Sequence, residues 1–223
     1  MKANHEDFKR EVDRRKITCL IHFTPTINLL SMYEQNKILS RAKLEELNMM
    51  KEDILDYVEF TDEIRLDDNN YINLSIQHPN TFLFSRFRDK TRDEPHITWC
   101  VLKIDTRNIY HESTLFSVTN AANSHNRRVT QITGDLNKFN MLFAPSVVVV
   151  TSYGSRTLTR NGIPDCLTTD EQAEVLVKDE IPLNDIISVC FKDAKDLAAG
   201  KAALNNYPTT NFIVESGLFL KRS

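Results

Sequence analysis

Glycine is scarce in this chain, with only five glycines among 223 residues. Neither the dinucleotide-binding pattern G-x-G-x-x-G nor the phosphate-binding pattern G-x-x-x-x-G-K-[ST] occurs, so a Rossmann turn and a P-loop are excluded. The metalloprotease pattern H-E-x-x-H and the serine-hydrolase pattern G-x-S-x-G are missing as well. If the protein binds a nucleotide, it must do so through a different arrangement of residues.

Cysteines are also few, and long apolar runs are absent. The four cysteines are widely spaced and form no C-x-x-C pair, so we expect neither a bound metal nor a disulfide framework. The most apolar run, residues 141–150, is interrupted by Pro145 and is much shorter than a membrane-spanning helix. The charged stretch at residues 1–16 has no apolar run of a secretory signal. These features predict a cytoplasmic protein without a membrane partner.

The length of the chain and its 41% content of hydrophobic residues fit one globular domain spanning residues 1–223. The formal net charge is -3, so the protein has no general positive field. Any binding of nucleic acid must therefore depend on a local basic patch.

Hydrophobic periodicity indicates a mixed α+β fold with a central, mostly antiparallel sheet flanked by helices. Strands are predicted at residues 17–24, 71–76, 97–104, 147–151, 172–177, 186–191 and 212–214. Helices are predicted at residues 5–16, 135–143 and 193–205, and another begins at Pro25 and continues through Tyr33. Residues 38–58 are predicted to be helical or irregular. The composition of residues 147–151 is typical of a fully buried strand. The polar stretch 152–171 is predicted to be a loop, and loops of this length are often functional.

Glu174 is the most informative residue because of its position in the predicted strand at residues 172–177. Successive side chains of a strand point to opposite faces, so Gln172 and Glu174 share one face while Val175 belongs to the apolar face. A fixed carboxylate suits chemistry at an anomeric carbon, because it stabilises positive charge on the sugar and accepts a proton from a nucleophile. The alternative is that Gln172 and Glu174 form an exposed pair on an edge strand.

His22 and Thr24 form a second candidate site, because they share one face of the predicted strand at residues 17–24. A neutral imidazole can form a hydrogen bond with a ribose, and the threonine hydroxyl can add another. The alternative is a histidine satisfied within the core, followed by a threonine that caps a helix.

Tyr153, Arg156 and Arg160 lie in the predicted loop and suit single-stranded DNA, because arginines contact phosphates and an aromatic ring stacks on bases. An ordinary solvated loop is the alternative. Three phenylalanines are predicted to lie in the core and not to form a stacking platform: Phe82, Phe84 and Phe87.

Three stretches of the chain, in this order, resemble the DarT-type DNA ADP-ribosyltransferases, which are toxins of bacterial toxin–antitoxin pairs. They are HFTPTINLLSMYEQNKILSRA at residues 22–42, NLSIQHPN at residues 73–80, and QAEVLV with IPLNDI at residues 172–177 and 181–186. The resemblance implies an ADP-ribosyltransferase fold with a split sheet, NAD as the ADP-ribose donor and no metal. It also implies single-stranded DNA as the acceptor and a cognate antitoxin that removes ADP-ribose from DNA.

The resemblance also assigns roles to individual residues. It implies that Glu174 is the catalytic glutamate and that Gln172 helps to read the acceptor base. Residues 152–171 would form the substrate-recognition loop, with Tyr153, Arg156 and Arg160 contacting DNA. A further group is implied to bind NAD: His22, Phe23, Thr24, Arg41 and Asn80.

One departure from the family pattern concerns the catalytic arginine. Thymine-modifying members carry a P-R-S segment after the second motif, whereas this chain has Pro79-Asn80-Thr81. We therefore expect the guanidinium to come from Arg86, with Arg88 as the other candidate. The same difference favours guanine over thymine as the modified base.

Three other functions are alternatives to DNA ADP-ribosylation. Pro164-Asp165 followed by Glu174 is similar to the PD-(D/E)-x-K arrangement of magnesium-dependent nucleases, but Leu176 occupies the position of the lysine. A protein-directed ADP-ribosyltransferase would share the fold and modify a side chain. A degenerate family member would be a non-catalytic binding module.

Overall fold

A seven-stranded sheet lies at the centre of the computed structural model, which describes residues 1–47, 69–94, 96–123, 131–151 and 154–222. The described strands are β1 (Leu20–Pro25), β2 (Lys37–Leu39), β3 (Tyr71–Ile76), β4 (Trp99–Ile104), β5 (Leu115–Ser117), β6 (Ser146–Thr151), β7 (Gly154–Thr159), β8 (Glu174–Lys178), β9 (Glu180–Pro182), β10 (Ile186–Phe191) and β11 (Phe212–Val214). The order in the central sheet is β11-β10-β4-β1-β3-β8-β5. β10 and β11 pair in parallel, and the other neighbours pair antiparallel. The predicted α+β class with a mostly antiparallel sheet is confirmed.

Helices cover both faces of this sheet. They are α1 (His5–Arg15), α2 (Asn28–Gln35), α3 (Arg41–Glu46), α4 (Thr81–Lys90), α5 (Leu136–Met141) and α6 (Ala194–Ala203), with short 3-10 turns at Thr106–Tyr110, Leu183–Asp185 and Ser216–Phe219. Because neighbouring side chains of β1 alternate, Leu20 packs with Phe8 of α1 in the larger core cluster. Ile21 packs with Phe84 of α4 in a second cluster on the opposite face. In the described part of the chain, no helix is long and apolar enough to cross a membrane.

The polar stretch at residues 152–171 is not one long loop, so that prediction was wrong. β6 and β7 pair in a hairpin that forms its own two-stranded sheet. The sequence of β7, GSRTLT, has no apolar alternation because most of this strand is exposed, and its pattern therefore carried no strand signal. The fully buried strand predicted at residues 147–151 was also wrong, because Val148 is 55% exposed while Val149 is 2% exposed.

Helix α4 was missed by the sequence prediction. Its N-cap is Asn80, a residue type preferred at this position, and the Asn80 side chain accepts a hydrogen bond from the Leu83 amide at 3.1 Å. Because only one side of this helix packs on the sheet, Phe84 is buried at 1% exposure and Phe82 is 52% exposed. The core prediction is thus correct for Phe84 and wrong for Phe82.

Other elements begin or end a few residues away from the predicted bounds. The strand predicted at residues 172–177 begins at Glu174, so Gln172 precedes it. Within residues 38–58, the structure shows the end of β2 and helix α3, and the remainder lies outside the described residues.

Candidate active site

The central sheet splits between β1 and β3, and His22 lies at the split. These strands pair only at Leu20–Ile76 and Ile21–Ser75, although both continue beyond this point. Nδ1 of His22 is 3.2 Å from the main-chain oxygen of Asn73. A carbonyl oxygen only accepts, so Nδ1 donates in the neutral ring, and Nε2 is the acceptor nitrogen.

The environment of His22 favours the neutral imidazole. Burial lowers the pKa of His22 below its ordinary value, and the hydrogen bond to Asn73 opposes this shift in part. The ring is therefore uncharged near pH 7 and presents one donor and one acceptor. This is the state that a hydrogen bond from a ribose hydroxyl to Nε2 would need.

Thr24 and Phe23, the neighbours of His22, differ in their contacts. The Thr24 hydroxyl is buried and accepts a hydrogen bond from Nδ2 of Asn28, the first residue of α2, at 2.9 Å. The Phe23 ring turns to the other face and stacks on Phe84 at a centroid distance of 4.6 Å. Phe23 thus connects β1 to α4 through its side chain.

Arg41 is the first residue of α3. Its Nε donates a hydrogen bond to Oε1 of Glu45 at 3.0 Å, one helical turn away, and about a third of its side chain (35%) is exposed. The assignment of Arg41 to NAD binding stays a prediction.

Glu174 is a buried carboxylate held by the main chain. It is the first residue of β8, stands opposite Ser117 of β5, and is 6% exposed. The amide of Ala121, in the turn that follows β5, donates a hydrogen bond to Oε2 of Glu174 at 2.7 Å. Since β8 lies between β3 and β5, the alternative of an exposed pair on an edge strand does not hold. The arrangement fixes a negative charge at the end of an interior strand.

The segment just before β8 contains a second buried carboxylate, Asp170, which the sequence reasoning missed. Asp170 is 1% exposed, and its Oδ1 accepts a hydrogen bond from the Gln172 amide at 2.9 Å. Among the described residues, Oδ2 has no hydrogen-bond partner. Burial raises the pKa of Asp170, and contacts with Thr119, the Gln172 amide and the charge of Arg156 act in the opposite direction. The only sequence signal was its place in the acidic pair Asp170-Glu171 before the strand.

Two side chains fasten this segment to the rest of the fold. The Thr81 hydroxyl, at the start of α4, donates a hydrogen bond to Oε2 of Glu171 at 2.8 Å. The guanidinium of Arg222 donates to the main-chain oxygen of Thr168 at 2.9 Å. The main chain that leads into Glu174 is therefore anchored on two sides.

The predicted DNA-contacting arginines have different surroundings. Arg160 donates to the main-chain oxygens of Leu167 and Pro164, each at 2.8 Å, and only 14% of its side chain is exposed. Its guanidinium thus holds together the turn between β7 and β8. Arg156 is exposed on β7. Tyr153 lies outside the described residues.

The two candidates for the catalytic arginine also differ. Arg88 donates to the main-chain oxygen of Phe219 at 3.0 Å and packs against the rings of Phe84 and Phe219, so it joins α4 to the last 3-10 turn. Arg86 is exposed, with its guanidinium carbon 5.7 Å from the centre of the Phe82 ring. The catalytic assignment of Arg86 stays a prediction.

Asn80 is positioned between β3 and α4. It is 3% exposed, its amide hydrogen-bonds to the Ser75 hydroxyl at 3.2 Å, and its side-chain oxygen caps α4. Within the described ranges, its Nδ2 has no acceptor. A buried amide donor without an acceptor is costly, so it is a natural partner for a bound polar ligand.

The nuclease alternative has no support in this geometry. The Asp165 side chain is 75% exposed and lies 3.9 Å from Arg160, whereas Glu174 is buried. In the segments that the structure describes, no group of three His, Cys, Asp or Glu side chains is arranged to hold a metal ion.

The sequence matches a protein-family model described as "DarT: ssDNA thymidine ADP-ribosyltransferase, DarT" over residues 21–217. A search of curated proteins finds no match.

Several solved structures share the fold. Thermosipho africanus DarTG in complex with ADP-ribose superposes with a TM-score of 0.55 at 16% identity, covering 91% of this chain and 51% of that chain. This chain thus spans about half the length of that protein. Thermus sp. 2.9 DarT in complex with carba-NAD+ gives a TM-score of 0.57 at 14% identity, covering 91% of this chain and 98% of that chain. The same protein in complex with ADP-ribosylated ssDNA gives 0.56 at 12% identity, covering 92% and 97%.

Proposed function

The chain belongs to the DarT family of single-stranded-DNA ADP-ribosyltransferases, and from this premise we propose that it transfers ADP-ribose from NAD to a base in single-stranded DNA and releases nicotinamide. The observation that carries the proposal is the buried Glu174 carboxylate, held by the Ala121 amide at 2.7 Å and one strand away from the split at His22.

The residues at the split fit a dinucleotide as the donor. Neutral His22 offers Nε2 as an acceptor for a ribose hydroxyl. Thr24, which is buried, and Asn28, which is half-buried, form a polar pair where β1 meets α2. Asn80 adds the Nδ2 donor described above. These groups would hold NAD without any glycine-rich phosphate loop.

Glu174 is suited to the transfer step. NAD supplies an ADP-ribosyl group, and positive charge builds up on its ribose as the bond to nicotinamide breaks. A preorganised carboxylate in a site shielded from water stabilises such charge without having to reorient. The hydrogen bond from Ala121 keeps the carboxylate in place, and Glu174 can also take the proton that the attacking base loses. Breaking the bond to nicotinamide and forming the bond to the base balance without a further reactant.

For the acceptor base, we propose guanine on the strength of Pro79-Asn80-Thr81, which lacks the arginine of the thymine-modifying pattern. Asparagine and threonine have no guanidinium. In the structure, Asn80 caps α4 and Thr81 donates a hydrogen bond to Glu171. Thymidine is the second candidate, and the description of the family model favours it.

In a cell, the proposed reaction is that of a toxin from a toxin–antitoxin pair. One structural relative is a DarTG protein. We propose that this chain acts in the cytoplasm, where NAD and single-stranded DNA are present, and that a cognate antitoxin removes ADP-ribose from the modified DNA.

The test uses four oligonucleotides, each of which offers one of the four DNA bases as the possible acceptor. Each is incubated with NAD, and its mass is then measured by mass spectrometry. Addition of one ADP-ribose to the guanine oligonucleotide is expected, and Glu174→Gln is the matched inactive control. If only the thymine oligonucleotide is modified, the acceptor is thymidine and not guanine. Two parallel reactions test the other candidate functions. A nuclease would cleave the strand and would lose this activity in EDTA. A protein-directed ADP-ribosyltransferase, given labelled NAD with both DNA and protein, would label only the protein.

A further inference from the structure

Phe82 is the one exposed aromatic residue among the described segments, at 52% exposure. Isolated exposed apolar residues are ordinary on protein surfaces, so exposure alone carries little meaning. Phe82 differs from the other exposed apolar residues in having a flat π-surface, a cation beside it and a position next to the proposed active site.

The cation is Arg86, one helical turn further along α4. Its guanidinium carbon is 5.7 Å from the centre of the Phe82 ring, within the range of a cation–π contact. Within the described ranges, Arg86 is in no ion pair with a carboxylate, whereas Arg92, just after the same helix, pairs with Asp89 at 2.6 Å. The positive charge of Arg86 is thus available to an anionic partner.

The position of Phe82 follows from its neighbour Thr81. The Thr81 hydroxyl donates to Glu171 at 2.8 Å, and Glu171 precedes Glu174 by three residues. The first turn of α4 is therefore fixed against the segment that leads into the proposed catalytic carboxylate. A single strand whose acceptor base reaches Glu174 would run past this turn.

We propose that Phe82 and Arg86 form a docking platform for single-stranded DNA, in which one base stacks on the Phe82 ring and a phosphate lies on Arg86. Both contacts are those that proteins use for single strands, because every base has a π-face and every nucleotide carries a phosphate. The positive charge of Arg86 complements the polyanion. This proposal rests on the proposed function. It adds a binding site for a nucleotide that neighbours the acceptor base in the same strand.

The experiment measures fluorescence anisotropy of a labelled single-stranded oligonucleotide with the full chain in the absence of NAD. Phe82→Ala should weaken binding about tenfold, which is within the range of one lost base stack. Phe82→Leu keeps an apolar side chain without a π-face and should be as weak as Phe82→Ala, while Phe82→Trp should bind at least as tightly as the wild type. Arg86→Gln should reduce the slope of log affinity against log salt by about 0.7, the value for one contact with a single strand.

Two matched controls lie away from the platform. Ile187 is 50% exposed on β10, which three strands of the sheet separate from β8, so Ile187→Ala removes an exposed apolar side chain far from Glu174. Arg10 is exposed on α1, which packs on the opposite face of the sheet from α4, so Arg10→Gln removes a distant charge. Both variants should bind DNA as the wild type does.

Several outcomes overturn the platform. Unchanged affinity of Phe82→Ala, or full affinity of Phe82→Leu, excludes base stacking at this position. Loss of a wild-type dimer in Phe82→Ala, with DNA affinity intact, would make the surface a subunit contact. If the wild type modifies DNA but the Phe82 variants bind normally, only the platform fails; if the wild type neither binds nor modifies single-stranded DNA, the proposed function fails with it.

Steady-state kinetics separate docking from catalysis at Arg86. The platform predicts that Arg86→Gln raises KM for the oligonucleotide more than it lowers kcat. A catalytic arginine predicts the reverse, with kcat reduced even at saturating DNA, and that result would overturn the docking role of Arg86.

Discussion

The amide of Ala121 donates a hydrogen bond to Oε2 of Glu174 across 2.7 Å, joining the turn after β5 to the first residue of β8. These residues are 53 positions apart in sequence. They meet because Ser117, at the end of β5, pairs with Glu174 and the chain then turns back over it. The proposed catalytic carboxylate is therefore oriented by the sheet itself.

Glu174→Gln should reduce transfer by at least about a hundredfold, since it removes the charge that stabilises the ribose in the transition state. The glutamine oxygen can still accept from the Ala121 amide, so the fold should be kept. Glu174→Ala should lose transfer equally but also lower the free energy of unfolding by about 1–3 kcal/mol, because the buried Ala121 amide loses its acceptor. Oligonucleotide mass spectrometry and thermal melting measure the two effects. Near wild-type transfer by the glutamine variant would contradict the mechanism.

Arg156 and Arg160 should respond differently to replacement by alanine. Arg160→Ala removes hydrogen bonds to Leu167 and Pro164 and should lower Tm by about 4–8 °C, which corresponds to about 2 kcal/mol. Arg156→Ala should leave Tm nearly unchanged, because the residue is exposed. It should reduce the slope of log DNA affinity against log salt concentration by about 0.7. Melting curves and salt titrations distinguish them. An unchanged Tm for Arg160→Ala would show that its contacts do not stabilise the turn.

Asp170→Asn should stabilise the protein near neutral pH. Burial raises the pKa of Asp170, so folding favours its protonated form, and the charged form costs stability once the pH exceeds the folded-state pKa. The variant should therefore gain Tm at pH 7–8, about 2–4 °C for each 1 kcal/mol relieved. The gain should shrink as the pH falls through the folded-state pKa towards 3.8, the ordinary value. A gain that does not depend on pH would contradict the electrostatic cause.

The strands that the sequence predicted at their observed bounds are those with a clear hydrophobic signal. β3, β10 and β11 combine apolar residues with turn residues at their ends, so local pattern alone defined them. β7 is polar and largely exposed, and it is a strand only because β6 pairs with it. Pairing between segments is non-local and leaves no mark in the composition of either strand.

The candidate site also contains residues that the sequence predicted and contacts that it did not. Glu174 and His22 were found from strand alternation and the family resemblance, and the structure places them on either side of β3. Two groups that hold them, the Ala121 amide and the Asn73 carbonyl, belong to the main chain, which every residue type supplies. Sequence reasoning therefore had no signal for them, and the same holds for the burial of Asp170. The organisation as one domain and the assigned roles of the site residues stay predictions.

Single-stranded DNA should be a better acceptor than the same sequence in a duplex. Chemistry on a base edge requires the base to leave the stack, which costs a few kcal/mol in a duplex and much less in a single strand. The net charge of -3 gives the protein no general attraction to a duplex that would offset this cost. Initial rates on a guanine-containing oligonucleotide, with and without its complement, measure the preference. Equal rates on both would mean that the protein opens the duplex itself.

His22→Asn isolates the acceptor nitrogen of the imidazole. An asparagine amide can still donate to the main-chain oxygen of Asn73, as Nδ1 of His22 does at 3.2 Å, but it has no counterpart of Nε2. Affinity for NAD at pH 8 should therefore fall about threefold to tenfold, the loss typical of one neutral hydrogen bond, while Tm changes little. Isothermal titration calorimetry measures the first quantity. Unchanged NAD affinity together with a large loss of Tm would identify His22 as a core residue instead.

The same variant has a distinct dependence on pH. Burial lowers the pKa of His22 in the folded protein, so the unfolded chain binds this proton first as the pH falls below the ordinary value of 6.5. The wild type should accordingly lose stability between pH 6.5 and the lower folded-state pKa, relative to His22→Asn, which has no such proton to bind. The difference in Tm between wild type and variant should be constant above pH 7.5 and should shift in favour of the variant as the pH falls towards 5. A difference that stays constant over this range would mean that His22 titrates alike in the folded and unfolded chains, and that the neutral ring inferred at the split is not enforced by the fold.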